Sequence, residues 1–348
     1  MVNLTWNNKG TERNKANSVV DFHSFQIVSS NKESELLNKL FWGDNYDVLQ
    51  FLMPDYKNKI DLIYVDPPFF SGSNYHVKIE GEGGDFESLL YQDQWNNDLD
   101  SYLQMLYKRM MLFEKLLSKK GLLFIHLDWH ASHYVKVMLD EIFGENKFVN
   151  SIVWYYYNKY SAGKKALPRA HDDILVYSKS DNYELNEIRI PREKPIKQLK
   201  RVMVNGVLKN AKDKDGHVIY RIVKDKKMDD VWRIPCLQPA SKEWTSFPTQ
   251  KHHKLLERII KMGSSEGDLI ADFFCGSGTT LLAAEKLKRR WIGSDISNYA
   301  INLCNTRLKK LKHKGDLHQS YELYSDSSDE KVELINSGFF DKEIKLKR

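Results

Sequence analysis

Cysteine is scarce: Cys236, Cys275 and Cys304 are the three present in 348 residues. They are odd in number, scattered, and far from any C-x-x-C pair. That predicts neither a disulfide framework nor a zinc site, and no metal ligands are assigned; a reducing cytoplasm fits. No run of about eighteen uncharged apolar residues occurs, so no membrane span is expected. The opening residues Met1-Val2-Asn3-Leu4-Thr5-Trp6 hold no apolar signal core, and a cytoplasmic location is expected. No G-x-x-x-x-G-K-[ST] run exists, which excludes a Walker-type phosphate loop. Charge of one sign is not dominant either: 53 Lys+Arg against 47 Asp+Glu leave +6. Such a balance permits a nucleic-acid partner without demanding one. There is no internal repeat.

What is present is ample core material, with 41% apolar and 12% aromatic residues, which rules out a disordered chain. Asp61-Leu-Ile-Tyr-Val-Asp66 is a short apolar run stopped by Pro67-Pro68, the pattern of a buried strand. Residues 75–94 hold three glycines and several acids and are expected as a loop. Helical spacing follows at Leu103, Leu106, Tyr107, Met110, Phe113 and Leu117. A second buried strand runs from Leu122 to Asp128, then a helix carries Val135, Met138, Leu139 and Ile142. Strands are expected at 151–157 and 173–177. The pattern resumes with a helix over 249–262, a strand over 268–272, a glycine turn, a helix over 279–288, a strand over 291–295 and a last helix. This alternation predicts an α/β fold: a Rossmann-like doubly wound sheet, mostly parallel, covered by helices. The expected organisation is an N-terminal arm (1–36), a first half of the α/β domain (37–180), an inserted module (181–245), a second half (246–312) and a C-terminal tail (313–348).

Three constellations carry chemistry. The turn Asp272-Phe273-Phe274-Cys275-Gly276-Ser277-Gly278-Thr279 lies between a strand and a helix, where glycines let backbone approach a ligand. It does not complete a dinucleotide fingerprint, because the third glycine position is Leu281. Asp295 ends the next strand, where an acid can accept from ribose hydroxyls. A nucleoside pocket is one reading; a tight turn with a helix-capping acid is the other. The second constellation is Asp66-Pro67-Pro68-Phe69. Two prolines fix two φ angles and remove two donors, while their carbonyls still accept. Two acceptors beside an aromatic face suit the exocyclic amine of adenine or cytosine; a stiff strand exit with a core Phe is the plain alternative. The third is Arg189 to Lys227, which holds thirteen Lys/Arg and four Asp/Glu. It is either a phosphate-binding face, with Lys197, Lys200 and Arg201 as candidates, or a solvated surface.

Taken together, the chain resembles the β group of S-adenosylmethionine-dependent N6-adenine and N4-cytosine DNA methyltransferases, over about residues 41–310. The D-P-P-F run precedes F-C-G-S-G with the variable insertion between them, the order of that group. Gly43-Asp44-Asn45 resembles its G-D-N segment, and Tyr91-Gln-Asp-Gln-Trp95 with the helix after it resembles its post-catalytic loop. Arg169-Ala-His171-Asp172-Asp173-Ile-Leu-Val-Tyr177 resembles the strand pair walling the base pocket. Phe247-Pro248-Thr249-Gln250-Lys251 resembles the segment covering the methionine part of the cofactor. Phe69 stands where Tyr or Trp is commoner, Phe273 where proline is usual, and His252 replaces the proline after P-T-Q-K.

The resemblance implies that Asp66, Pro67, Pro68 and Phe69 are catalytic. It implies that Asp272, Phe274, Gly276, Gly278, Thr279, Asp295, Gln250 and Lys251 bind S-adenosylmethionine, and that Asp44, Arg169 and His171 meet the substrate. Double-stranded DNA is the implied partner, with a cognate restriction endonuclease and a homodimer as further possibilities. An aspartate opening the motif leans to adenine N6. N4-cytosine methylation, an RNA substrate, a nicotinamide-dependent enzyme and a silent nucleic-acid-binding subunit are the competing readings.

Overall fold

The computed structural model describes residues 3–9, 20–30, 37–72, 74–81, 84–93, 98–159, 165, 167–342 and 344. In chain order, the first part comprises β1 (Phe22–Val28), β2 (Asn38–Trp42), α1 (Asn45–Tyr56), β3 (Ile60–Val65), β4 (Asn74–Gly81), β5 (Gly84–Gln92), α2 (Leu99–Leu116), β6 (Leu117–Leu127), α3 (Ser132–Phe143), β7 (Phe148–Tyr155) and β8 (His171–Ser178). The middle part holds β9 (Arg189–Leu199), β10 (Arg201–Val204), β11 (Val207–Asn210), β12 (Tyr220–Lys227) and β13 (Val231–Arg233). The last part is α4 (His253–Gly263), β14 (Leu269–Asp272), α5 (Thr279–Lys286), β15 (Arg290–Asp295), α6 (Asn298–His313), β16 (Tyr321–Asp326) and α7 (Asp329–Asn336).

A ten-stranded sheet runs in the order β1-β16-β2-β15-β14-β3-β6-β8-β7-β13. The six strands from β16 to β6 are mutually parallel. β8 runs antiparallel between β6 and β7. The expected α/β sheet is therefore mostly parallel, with a reversed strand that apolar runs alone do not announce. β3 reads as a continuous apolar run because Leu62, Ile63, Tyr64 and Val65 are all buried. Full burial of such side chains contributes about 1.5–3 kcal/mol each. α2 starts where Asp98 accepts from the Asp100 and Ser101 N–H groups. Its Leu103, Leu106, Met110 and Phe113 then pack into the core with Ile63, Val65, Leu123 and Ile125. The chain leaves β3 towards β6 and leaves β14 towards β15. The crevice at the carboxyl ends of these two neighbours is the switch point where α/β folds bind ligands.

Several expectations need correction. Among the described residues of 75–94, the expected loop is replaced by a ribbon: 74–81 and 84–92 form the antiparallel pair β4–β5, in register from Asn74↔Gln92 to Gly81↔Gly84. Glycines and acids read as loop when counted together, but two of them close a hairpin. The N-terminal arm contains β1, and the C-terminal tail contains β16, which lies between β1 and β2. In β16, Tyr321, Leu323 and Ser325 are buried while Glu322, Tyr324 and Asp326 are half-buried. That period of two is obscured by the polar residues within it. The inserted module is also shorter than 181–245: one compact unit is Asn186–Asp229, and the rest of the chain forms the other. Asp230 to Thr245 belong to the larger unit, where β13 pairs with β7 and buries Trp232.

The small unit is an antiparallel pair, β9 with β12, and a hairpin, β10 with β11. The hairpin turns at Asn205-Gly206, both with positive φ (48° and 76°), as a two-residue hairpin loop requires.

Candidate active site

A row of acids marks the carboxyl edge of the large unit's sheet. Asp44 follows β2, Asp295 ends β15, Asp272 ends β14, Asp66 follows β3 and Asp128 follows β6; Asp172 opens the reversed strand β8. All six line one cavity of about 1270 Å³. Single drug-sized ligands occupy roughly 300–1,000 Å³, so this volume admits two reactants side by side.

The prolines at the β3 exit set one end of the cavity. Tyr102 Oη donates to the Pro68 carbonyl at 2.8 Å. Asp93 then accepts from the Phe70 and Ser71 N–H groups at 2.9 and 2.8 Å, fixing Phe70 at φ 60°. Asp66 Oδ2 is ion-paired with Lys251 Nζ. Asp66 Oδ1 is buried and accepts no hydrogen bond among the described residues; its neighbour His126 Nδ1 lies 3.7 Å away. A carboxylate oxygen held this way is an acceptor in wait of a donor. Phe69 lies beside it, with Lys251 Nζ 5.2 Å from its ring and the His126 ring 5.5 Å away.

Behind Asp66 is a closed polar network. Fully buried His126 meets Tyr64 Oη through Nδ1 at 2.9 Å and Asp172 Oδ2 through Nε2 at 3.1 Å. Tyr156 Oη donates to Asp172 Oδ1 at 3.0 Å. Burial alone would raise the Asp172 carboxyl; the bond and charge of His126, the Lys251 charge and the Tyr156 hydroxyl together hold it below the usual carboxylate range.

The glycine turn shapes the opposite end. Gly278 has φ 79°, and a Cβ there would stand 2.3 Å from Cys304 Sγ, so only glycine fits. Gly276, at φ 48°, lies under Phe247, and its N–H donates to Asp295 Oδ2 at 2.9 Å. Burial pushes the Asp295 carboxyl up to about 6, against the Ser297, Gly276 and Ile296 N–H groups. Burial likewise pushes Asp272 up to about 7, against the Thr280 hydroxyl and the Phe274 N–H, with the Asp66 and Asp295 charges adding to the rise. Cys275 is a poor nucleophile: its hydrogen bond with Cys304 and its burial raise the thiol well above its ordinary value.

The DNA methylase family model of N6/N4 methyltransferases matches residues 60–306. The chain belongs to this DNA methylase family. It is 28% identical over 325 residues to the Type II methyltransferase M.EcaI of Enterobacter cloacae, covering 77% of this chain and 69% of that one. It is 27% identical over 255 residues to the DNA adenine methyltransferase YhdJ of Escherichia coli, covering 73% and 78%. Among solved structures, M1.HpyAVI in complex with SAM superposes with TM-score 0.51 at 19% identity, covering 78% of this chain and 98% of that one. The cytosine-N4-specific PvuII methyltransferase superposes with TM-score 0.50 at 16% identity, covering 88% and 94%. These two likenesses bear on the fold alone.

S-adenosylmethionine is the methyl donor of this methylase, and the residues present fit it. It carries an ammonium, a sulfonium and ribose hydroxyls, all cations or donors. Two buried carboxyls with raised pKa values are acceptors for such a ligand, and Gly276 leaves the turn beside them free of a Cβ.

The cavity gathers most of the expected site residues. Asp66, Pro67, Pro68, Phe69, Asp272, Phe274, Gly276, Thr279, Asp295, Gln250, Lys251, Asp44 and Arg169 all line the cavity. Gly278 does not; it packs on Cys304 and shapes the turn. The Gln250 amide is spent inside the protein, accepting from the Thr245 N–H at 2.9 Å and donating to the Glu243 carbonyl at 2.8 Å, so it braces the wall. Lys251 reaches Asp66 beside the proline pair. Asp44 caps α1 and pairs with Arg109, while the neighbouring Gly43 N–H bonds the Asp295 carbonyl. It therefore stands on the Asp295 side of the cavity, away from β8. His171 is exposed and outside the cavity; Asp172, next on the alternating strand, takes the inward place. Arg169 lies 3.9 Å over the Trp129 ring. Lys197, Lys200 and Arg201 are exposed on the small unit, with Lys197 Nζ 4.4 Å from the Tyr220 ring. Phe273, standing where proline is usual, is buried and stacks on Phe113 with centroids 5.4 Å apart. Trp95 lies outside the described residues.

His126, Asp172, Tyr156 and Arg307 carry roles the sequence reading missed. Arg307 Nη1 donates to the Ser277 carbonyl at 2.5 Å and pins the glycine turn. Its distance of thirty residues from that turn leaves no local signal. No helix among the described residues is long and apolar enough to cross a membrane.

Proposed function

We propose that this methylase transfers the methyl group to the N6 amine of an adenine extruded from duplex DNA. The observation that carries this reading is Asp66 Oδ1, a buried acceptor with no hydrogen bond of its own beside the Phe69 ring. A base inside a duplex cannot reach it, so the nucleotide is flipped out at a cost of a few kcal/mol. Phe69 stacks on the extruded base and offsets about 1–3 kcal/mol of that cost.

The amine lone pair is delocalised into the ring and attacks poorly. Asp66 Oδ1 and the Pro67 carbonyl accept its two N–H groups and favour the tetrahedral form, a stabilisation that grows towards the transition state. Lys251 holds the Asp66 carboxylate by its other oxygen, Oδ2, while His126, tied to Tyr64 and Asp172, packs 3.7 Å from Oδ1. S-adenosylmethionine, when bound, supplies an electrophilic methyl group on sulfur. Of the cavity-lining residues, Asp295 would accept from its ribose, Phe247 and Gly276 would wall its nucleoside, and Asp272 would meet its cationic end. The thirteen Lys and Arg between Arg189 and Lys227 neutralise DNA phosphates.

Nucleoside mass spectrometry of unmethylated DNA treated with the enzyme tests the reading. N6-methyldeoxyadenosine is expected. N4-methyldeoxycytidine would replace adenine by cytosine, and 5-methyldeoxycytidine would refute the amine chemistry altogether.

A further inference from the structure

Beside the cavity, Glu243, His252 and His253 bring one carboxylate and two imidazoles together where α4 begins. One ligand atom from each lies within 4.8 Å of the other two. His253 Nδ1 is 2.5 Å from Glu243 Oε1, yet this buried nitrogen meets no hydrogen-bond geometry. His252 caps α4, its Nδ1 accepting from the Lys254 N–H at 3.2 Å, which leaves Nε2 for another partner. The two imidazole rings stack with centroids 4.8 Å apart. A simple ion pair would direct an N–H at the carboxylate and would not need the second imidazole.

We infer that Glu243, His252 and His253 bind one divalent transition ion of the zinc class. Imidazole with carboxylate suits zinc, nickel or copper rather than magnesium or calcium. Zinc holds such ligands at about 2.0–2.2 Å, so in a tetrahedral site their atoms stand roughly 3.3–3.6 Å apart. The 2.5 Å between His253 Nδ1 and Glu243 Oε1 must open, and the widest spacing, within 4.8 Å, must close, by up to about an ångström each through side-chain rotation to reach that geometry. Three protein ligands and one water complete a tetrahedral site. Cysteine counting cannot reveal it, because its ligands are two adjacent histidines and a glutamate nine residues before them.

The place of the site gives it a purpose. Its ligands bracket residues 244–251, of which Phe247, Pro248, Thr249, Gln250 and Lys251 line the donor cavity. The Gln250 amide already ties this loop to the Glu243 carbonyl from inside. An ion joining Glu243 to His252 and His253 ties it from outside. The loop then keeps Phe247 over Gly276 and Lys251 on Asp66 with fewer alternatives to lose on binding. The ion is a clip and takes no part in the chemistry. Its effect on donor affinity rests on the functional reading above; ion binding itself does not.

The test uses tag-free, metal-stripped full-length protein titrated with Co²⁺, followed through its visible bands, then with Zn²⁺. Wild type, His253→Gln, Glu243→Gln and His217→Ala are compared. The last removes the exposed Asp213, Asp215 and His217 group, the other grouping of suitable ligands among the described residues. Wild type and His217→Ala should give a tetrahedral cobalt spectrum at one ion per chain. His253→Gln and Glu243→Gln should weaken binding at least as much as losing an outer-shell partner does, about 10- to 100-fold. Zn²⁺ should raise the melting temperature and the S-adenosylmethionine affinity of wild type and of neither of these two variants. Should one of them fail to fold in metal-free melts, the other decides. Wild-type affinity in both, or loss in His217→Ala alone, overturns the site. Binding with no change in donor affinity overturns the clip and leaves the site.

Discussion

Replacing Asp66 by asparagine separates the geometry of its carboxylate from its charge. The side chain keeps its shape but offers one oxygen instead of two. Lys251 Nζ, which has only donors to give, takes that oxygen in place of the Oδ2 it now meets. The amide NH₂ then points where Oδ1 lies, so a donor faces the donor amine of the base. Removing one acceptor aimed at a transition state costs about 2.7–4 kcal/mol, or roughly 10²–10³ in kcat. Asp66→Asn should lose that much in single-turnover transfer of a tritiated methyl group, measured at saturating donor. Donor affinity by calorimetry should stay near wild type. Removing the competing cation as well, in Asp66→Asn/Lys251→Met, frees the amide to turn its oxygen back and should recover part of the rate relative to Asp66→Asn. Wild-type kcat in Asp66→Asn, or a double variant slower than the single by the full Lys251→Met effect, would refute the reasoning.

Four further outcomes are expected. Phe69→Ala should raise KM for DNA by the loss of about 1–3 kcal/mol of stacking, with Phe69→Trp close to wild type in steady-state kinetics. Asp272, pushed up to about 7 from 3.8, takes up a proton on folding, so stability should fall as pH rises from about 4 to 7. By the usual 1.36 kcal/mol per unit this amounts to at most about 4 kcal/mol, and denaturant melts of Asp272→Asn should lose that part of the slope. Because a cationic donor favours ionised Asp272 and Asp295, its affinity should increase as pH rises through about 6 to 7, and a pH-independent Kd would exclude this. Alanine at Lys197, Lys200 and Arg201 together should weaken DNA binding uniformly across sequences. It should also lower the slope of log K against log salt by roughly 0.9 for each phosphate that is no longer neutralised.

Contiguous segments that line the cavity were legible in the sequence. Asp66 to Phe69 and Asp272 to Thr279 are read as units, because prolines and glycines mark strand exits locally, and the parallel pairing of β3 with β14 brings both to one edge. What pairs across the chain was not legible. His126 meets Asp172 46 residues away, and Lys251 meets Asp66 185 residues away. Neither partner shows periodicity or spacing that points to the other. The sequence points to His171 in place of Asp172 because a motif names a segment, whereas the pleat decides which neighbour faces in. β16 escapes notice for a related reason: its inward Tyr321 and Leu323 alternate with charges in a region of mixed composition.

The most direct test of the central claim is a crystal structure with duplex DNA carrying the methylated site and a non-reactive donor analogue. An extruded base is predicted, its ring on Phe69 and its exocyclic nitrogen within hydrogen-bond distance, about 2.7–3.2 Å, of Asp66 Oδ1. A target base left in the stack, or an extruded base whose amine meets other acceptors while Asp66 keeps only Lys251, would contradict the account.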